Sequence, residues 1–290
     1  MKVLLAEVNV SEGRNSEAIT EMQHVLMEDG TLRLIEVNSD KDHNRTVFTY
    51  SGEPDQVLAG TKRLAKKAVE LIDMTTHTGA HPRMGAVDVV PFIPAREVSQ
   101  EEALEVARAF GEFLGSLGVP VYYYEDAATR PERKSLVDIR KGEYESFQEK
   151  MTKPEWTPDA GPFAFVPKSG ATVTGVRFPL VAFNVNLRTA DLAIGKQIVK
   201  AVRAATGGYQ NVRAIALEIS DTKMIQISMN LTQYQKTPIH RVFETIKSEA
   251  QSRGILVADT ELVGPVPVMA LEDVLKFYLR AHHFNMEQLY

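Results

Sequence analysis

Val181-Ala182-Phe183-Asn184-Val185-Asn186-Leu187-Arg188 places apolar residues at every second position, the period of a strand with one face buried. Downstream, Thr189 offers a cap for a helix carrying Leu192, Ile194, Ile198, Val199 and Val202, closed by Gly207-Gly208. A strand is expected over 212–219 and a hairpin turn at Asp221-Thr222. In the next strand Ile225, Ile227, Met229 and Leu231 alternate with Gln226, Ser228 and Asn230. Thr237-Pro238 opens a helix with Ile239, Val242, Phe243, Ile246 and Ala250 at helical spacing. A strand over 255–263 and a helix over 268–281 complete the order β-α-β-β-α-β, that of a ferredoxin-like unit. Residues two apart share a strand face, so Asn184 and Asn186 lie together, as do Gln226, Ser228 and Asn230. With helices on one side only, that polar face meets water or lines a cleft between facing sheets.

Upstream, a strand is expected at 3–10. Ser16 is placed to cap a helix with Ile19, Met22, Val25 and Leu26 on one face, ended by Gly30. Strands over 32–37 and 46–50 flank a polar loop, 38–45. Pro54 begins a helix with Val57, Leu58, Leu64, Ala65, Ala68 and Ile72 inward and Lys62, Arg63, Lys66 and Lys67 on a solvated face. Val87-Asp88-Val89-Val90-Pro91-Phe92-Ile93-Pro94 reads as a short buried strand ended by proline. Ser99 with Glu102 forms a capping box before a helix bearing Val106, Phe110, Phe113, Leu114 and Leu117, and a strand follows over 119–124. Two adjacent strands between helices give an α+β layer rather than a purely parallel sheet. The fold expected is α+β, two ferredoxin-like subdomains with helices outside, divided as 1–175 and 176–290, their sheets either solvated or facing each other. Between them 125–171 loosens into charged residues, a short helix and a proline-rich run at 154–162. It is too long for a casual connection, and so is a packed or functional excursion.

The chain has 290 residues, a net charge of -5 and no cysteine. Disulfides, thiolate metal sites and cysteine nucleophiles are excluded, and nothing in the charge suggests nucleic acid. Met1-Lys2-Val3-Leu4-Leu5-Ala6-Glu7 is too short an apolar run for a signal peptide, and no stretch is long enough to span a bilayer. A cytoplasmic protein without membrane or nucleic-acid partners is expected.

The chemistry concentrates in Thr78-Gly79-Ala80-His81-Pro82-Arg83-Met84-Gly85-Ala86. An imidazole can take and give a proton near neutral pH, and a neighbouring guanidinium can fork onto a carboxylate. A histidine in a Gly/Pro turn can equally be a plain turn residue. His77 and His81 are four apart, but Gly79 and Pro82 oppose the helix a metal pair needs. His282-His283 with Glu287 reads as a solvated terminus. No metal site is expected. Gly161-Pro162-Phe163-Ala164-Phe165-Val166-Pro167-Lys168-Ser169-Gly170-Ala171-Thr172 is either a connecting loop or a ligand wall. Its glycines allow close approach, its aromatics are flat, and its N–H groups past Pro167 are available as donors.

Several of these stretches resemble the glutamate formiminotransferase family. They are Ser11-Glu12-Gly13-Arg14-Asn15, Asp42-His43-Asn44-Arg45-Thr46-Val47-Phe48-Thr49, Leu71-Ile72-Asp73-Met74, the His81 turn through Asp88, the Gly161–Thr172 run, Ala182 to Leu187, and Leu262-Val263-Gly264-Pro265-Val266-Pro267. The likeness runs in order along nearly the whole chain, and it implies two subdomains with facing sheets across a ligand crevice. It implies transfer of a formimino group from N-formimino-L-glutamate to N5 of tetrahydrofolate, a co-substrate, with His81 as the acid–base group that takes a proton and returns it. Residues 161–170 would bind folate, together with Asn184 and Asn186 on the polar strand face. Arg14, Asp40, Asn44, Arg45 and Arg83 would bind the glutamate donor. A homodimer is implied as well. The sequence ends without a cyclodeaminase-like segment, so no deaminase activity is expected. Many members have an aspartate where this chain has Asn38, which leaves Asp40 and Asp42 as the acids near the histidine. An N-formylglutamate donor and a non-catalytic folate binder are the alternatives.

Overall fold

The computed structural model describes residues 2–264 and 266–288. Met1 of the N-terminal run, Pro265 of the 262–267 motif and the Glu287 side chain lie outside the described residues. The chain divides into two compact units, Met1–Arg177 and Phe178–Tyr290.

In the first unit the elements are β1 (Val3–Val10), α1 (Ser16–Leu26), β2 (Arg33–Asp40), β3 (Arg45–Gly52), α2 (Pro54–Leu71), β4 (Val87–Arg96), α3 (Gln100–Ser116), β5 (Val121–Glu125), α4 (Leu136–Arg140), α5 (Phe147–Lys150) and β6 (Thr172–Val176). Among the described residues they build one six-stranded sheet, ordered β2-β3-β1-β4-β6-β5. The β2-β3-β1-β4 part is antiparallel, whereas β6 joins both β4 and β5 in parallel. β1, a strand as expected, alternates: Leu4, Ala6, Val8 and Val10 are buried in one core with Met22, Leu26, Leu64 and Phe110 from the helices.

Several local expectations are corrected. Asn15, not Ser16, caps α1, accepting at 3.1 Å from the N–H groups of Glu17 and Ala18. β2 continues to Asp40, so the loop shrinks to 41–44, and Ser39 and Thr46 hydroxyls bond across the strands at 2.9 Å. β4 does not stop at Pro94; it runs through Pro91 and Pro94 to Arg96. β6 is a strand where none was expected. It is buried along its length, and Thr172 and Thr174 donate their hydroxyls to the carbonyls of Val87 (2.7 Å) and Val90 (2.9 Å).

The 125–171 excursion is packed. Tyr122, Tyr124, Ile139, Phe147 and Met151 form a separate buried cluster with Met84 and Val173, against which Trp156 and Phe165 lie. A buried ion pair clasps it to β5. Arg133 donates to Asp159 at 2.7 Å and to the carbonyl of Thr157 at 2.6 Å, while Asp159 also accepts the Tyr123 N–H at 2.8 Å.

The second unit holds β7 (Val181–Leu187), α6 (Leu192–Val202), β8 (Val212–Glu218), β9 (Ile225–Leu231), α7 (Ile239–Gln251), β10 (Val257–Val263) and α8 (Val268–Leu279). Its sheet, ordered β10-β7-β9-β8, is antiparallel throughout among the described residues. This is the pairing a ferredoxin-like unit requires. Asp191 rather than Thr189 caps α6, at 2.8 Å to the Ala193 N–H, and α7 starts after Pro238 with no side-chain cap.

Replacing Asp159 with alanine strands the Arg133 guanidinium in the interior. Breaking a buried pair from one side costs about 3–5 kcal/mol. Urea unfolding of Asp159→Ala is expected to lose that much stability; a wild-type midpoint contradicts the assignment.

Candidate active site

At one end of the first sheet Val10 pairs with both Thr46 and Val87. The segments after β1, between β2 and β3, and before β4 therefore meet there. Close backbone contact fixes the meeting. A Cβ on Gly13 would sit 2.2 Å from the carbonyl oxygen of Asp40, and one on Gly79 would sit 2.3 Å from that of His43. Asn44 adopts a left-handed φ of 50°, which asparagine tolerates better than most residues. From there its side chain accepts from the Gly13 N–H (2.9 Å) and donates to the Thr78 carbonyl (2.9 Å), tying three segments together. Ala80 N–H donates to the Asp42 carbonyl at 3.1 Å.

The 161–170 segment ends on the same turn. Ala86 N–H donates to the Ser169 carbonyl (2.8 Å) and Ala171 N–H to the Met84 carbonyl (3.0 Å). Gly170 has φ 62°, with the Met84 carbonyl oxygen 2.2 Å from where a Cβ would lie. Phe163 is exposed, but Phe165 packs on Tyr144 and Phe147, with ring centroids 5.5 and 6.2 Å apart. The wall expected from two aromatics is thus one open ring and one packed ring. The Gly170 N–H is not an open donor either, because it bonds to the Val166 carbonyl at 2.8 Å.

His81 is half-buried, and its Nε2 accepts from Arg45 Nη1 at 2.6 Å. Burial, then the charges of Arg45 and Arg140, hold its pKa down to about 4. It is therefore a neutral imidazole at neutral pH, with its Nε2 lone pair pointed at a guanidinium. Behind it, the buried Asp88 carboxylate accepts the Met84 N–H at 2.9 Å and binds Arg140. Burial pushes the Asp88 carboxyl up, opposed by Arg140. The Nε atoms of Arg45 and Arg140 are both buried, without a hydrogen-bond partner among the described residues. Arg45 and Arg140 both press positive charge on His81, which makes the place beside it suited to an anion.

The remaining expected donor-binding residues have other work. Arg83 is buried and donates at 3.0 Å to both Glu143 and Glu145, with its Nε 3.3 Å from His77 Nδ1. Its guanidinium is engaged by these two carboxylates within the protein. His77 uses its Nε2 on the Asn44 carbonyl at 3.0 Å. These residues rim an open depression of about 430 Å³ with Thr78 and Gly79. Arg14 braces two segments, donating to the Lys41 carbonyl (2.9 Å) and lying 3.4 Å from the Thr78 hydroxyl. Asp40 bonds His43 Nδ1 at 2.9 Å. Asn44 positions the loops, as described. In the second unit the Asn184 and Asn186 amides donate to Glu261 (3.1 Å) and Asp259 (2.5 Å) on β10.

The sequence reading missed Arg140 and Asp88. Asp88 carried a signal, a carboxylate inside an apolar run, which must find a cation when buried. Arg140 carried none.

Family models match along the chain. The formiminotransferase domain, N-terminal subdomain, covers residues 3–177, and the formiminotransferase domain covers 182–288. The chain belongs to the formiminotransferase family. It is 40% identical over 285 residues to the glutamate formimidoyltransferase of Streptococcus pyogenes serotype M1, covering 98% of this chain and 95% of that protein. It is 41% identical to the enzyme of the same name from Thermoplasma acidophilum, over 96% of this chain and 92% of that one. The mouse formimidoyltransferase-cyclodeaminase is 42% identical over 93% of this chain, which spans 51% of the mouse protein.

Because the folded pKa of His81 lies below its ordinary 6.5, the unfolded chain binds the extra proton between those values. The associated stability is present above about pH 6.5 and is lost as pH falls toward 4. In Arg45→Gln one of the charges that depress His81 is gone. Ring-nitrogen NMR is expected to show His81 titrating at higher pH than in the wild type; an unchanged titration contradicts the role given to Arg45.

Proposed function

We propose that this chain transfers the formimino group of N-formimino-L-glutamate to N5 of tetrahydrofolate, releasing L-glutamate and 5-formiminotetrahydrofolate. Relatives named for that activity along nearly the whole chain supply the reaction. The observation that carries the chemistry is the neutral His81 imidazole held under Arg45, with Arg140 behind.

The donor brings two carboxylates. Arg45, beside His81, is the guanidinium placed to meet one of them, with the positive charge of Arg140 behind it. An arriving carboxylate that draws Arg45 away does two things at once. It frees the Nε2 lone pair of His81, and it neutralises the charge that disfavours protonation there. His81 then takes the proton of N5 as that nitrogen bonds the formimino carbon, and it returns a proton to the glutamate nitrogen as the tetrahedral adduct collapses and the bond from carbon to that nitrogen breaks. Arg14 and Asn44 hold the loops, and Arg83 with Glu143 and Glu145 holds the turn that carries His81. Folate is assigned to the 161–170 segment, with the exposed Phe163 as a stacking face for the pterin. The family likeness further implies a cytoplasmic homodimer, which fractionation and sedimentation test.

A positioned proton-transfer group contributes about 10²–10⁴-fold. His81→Ala is expected to lose kcat by about that factor while folate binding, followed by calorimetry, survives. Wild-type turnover in the variant contradicts the role. Wild-type assays with N-formimino- and N-formyl-L-glutamate side by side identify the donor; transfer from the formyl donor alone contradicts the substrate proposed.

A further inference from the structure

The formimino transfer proposed above needs N5 of the folate held within proton-transfer reach of His81. Backbone bonds join the His81 turn to the far end of the 161–170 segment, the Ala86 N–H on Ser169 and the Ala171 N–H on Met84. The open ring, Phe163, lies toward the other end. Among the described residues, the stretch 162–167 receives one hydrogen bond from outside the segment. The Tyr144 hydroxyl donates to the Pro167 carbonyl at 2.7 Å.

Tyr144 is aimed there by the turn it sits in. It lies between Glu143 and Glu145, the two carboxylates that hold Arg83. Its own N–H donates to the Arg83 carbonyl at 2.9 Å. Three consecutive residues therefore grip Arg83, the neighbour of Pro82 in the His81 turn, by side chain and backbone together. The grip needs an unusual backbone. Gly142 has φ 81°, and Glu143 has φ 56° with ψ -161°, a shape that glycine adopts freely and glutamate does not. Bonds on either side hold it, from the Glu143 N–H to the Arg140 carbonyl at 2.7 Å and from the Ser146 N–H to the Gly142 carbonyl at 3.1 Å. Arg140 is itself tied to Asp88 of β4. Backbone kept in such a shape against its own preference is concentrated at active sites and ligand clamps.

On its other side Tyr144 meets the folate segment. Its ring lies 5.5 Å from that of Phe165, centroid to centroid, and Phe165 also packs on Phe147. Burial pushes the Tyr144 phenol up, so the hydroxyl keeps its proton and acts as the donor. One residue thus holds the His81 turn through its backbone and the folate segment through its side chain. The reacting groups sit on these two pieces, the base on the first and the pterin, as proposed above, on the second. Displacing one by about 1 Å can cost about 10²-fold in rate although both substrates still bind. We propose that Tyr144 is a positioning residue for the transfer, its hydroxyl setting the 162–167 stretch, and the pterin on it, at the distance from His81 that proton transfer from N5 requires. It acts through Pro167 and contributes no proton.

The proposal rests on formimino transfer with folate on the 161–170 segment, so wild-type turnover is measured first. A wild-type protein without transfer from N-formimino-L-glutamate overturns that reading and this proposal with it, whereas the variants bear on Tyr144 alone. Tyr144→Phe keeps the ring against Phe165 and the backbone bond to Arg83, and removes only the hydroxyl. Its kcat is expected to fall about 10-fold, with KM for both substrates and the NMR titration of His81 unchanged. Tyr144→Ala loses the ring as well, and is expected to lose about 10²-fold in kcat and to bind folate more weakly by calorimetry. A Tyr144→Phe protein with wild-type kcat overturns the proposal. So does one whose loss is a raised KM for folate at wild-type kcat, since that is a binding role. A Tyr144→Phe protein in which the His81 titration moves overturns it too, because the hydroxyl would then act on the base and not on the place of the folate.

Discussion

The site turns on one contact, the Arg45 guanidinium donating to the His81 lone pair at 2.6 Å. Two groups that close cannot both carry positive charge in a half-buried place without a large penalty, and arginine keeps its proton far more firmly than histidine. The imidazole is therefore the one that stays neutral. Asp88 and Arg140 extend the constraint inward. A carboxylate buried in β4 needs a cation, and the Arg140 that satisfies it adds further positive potential toward His81. The outcome is a base held unprotonated, yet hydrogen-bonded to a group that an anionic substrate can remove.

This arrangement follows from strand order. With β1 between β3 and β4, the end of β1 faces the starts of both neighbours, and three loops converge there. The parallel strand β6 enters at the same end, which brings the 161–170 segment against the His81 turn. Gly13, Gly79 and Gly85 keep the crossings tight: a Cβ on any of them would lie 2.2–2.4 Å from a backbone carbonyl oxygen of a facing segment.

Much of this was readable from the residues, and the parts that were not share a cause. Apolar and polar residues alternate in Val181–Leu187 and Ile225–Leu231, and that period revealed the strands of the ferredoxin-like order, although Asn184 and Asn186 on the polar side are buried too. β6 is buried on both faces and only five residues long, so it shows no such alternation. The His81 turn was visible because glycine and proline mark it locally. Arg140 was not, since its partner Asp88 lies 52 residues away. Arg83 looked like a substrate clamp because it adjoins the histidine. The carboxylates that occupy it, Glu143 and Glu145, lie 60 and 62 residues further along the chain. Local period and turn chemistry are written in short windows; ion pairs across the fold are not.

The most direct measurement is nitrogen NMR of the His81 ring on adding N-formimino-L-glutamate without folate. If the donor's carboxylate draws Arg45 away, the His81 titration moves up from about 4 toward its ordinary 6.5 and the Nε2 signal loses the signature of the guanidinium bond. A donor that binds at saturation and leaves the titration where it was would show that His81 is not released by its substrate, and the account would fail.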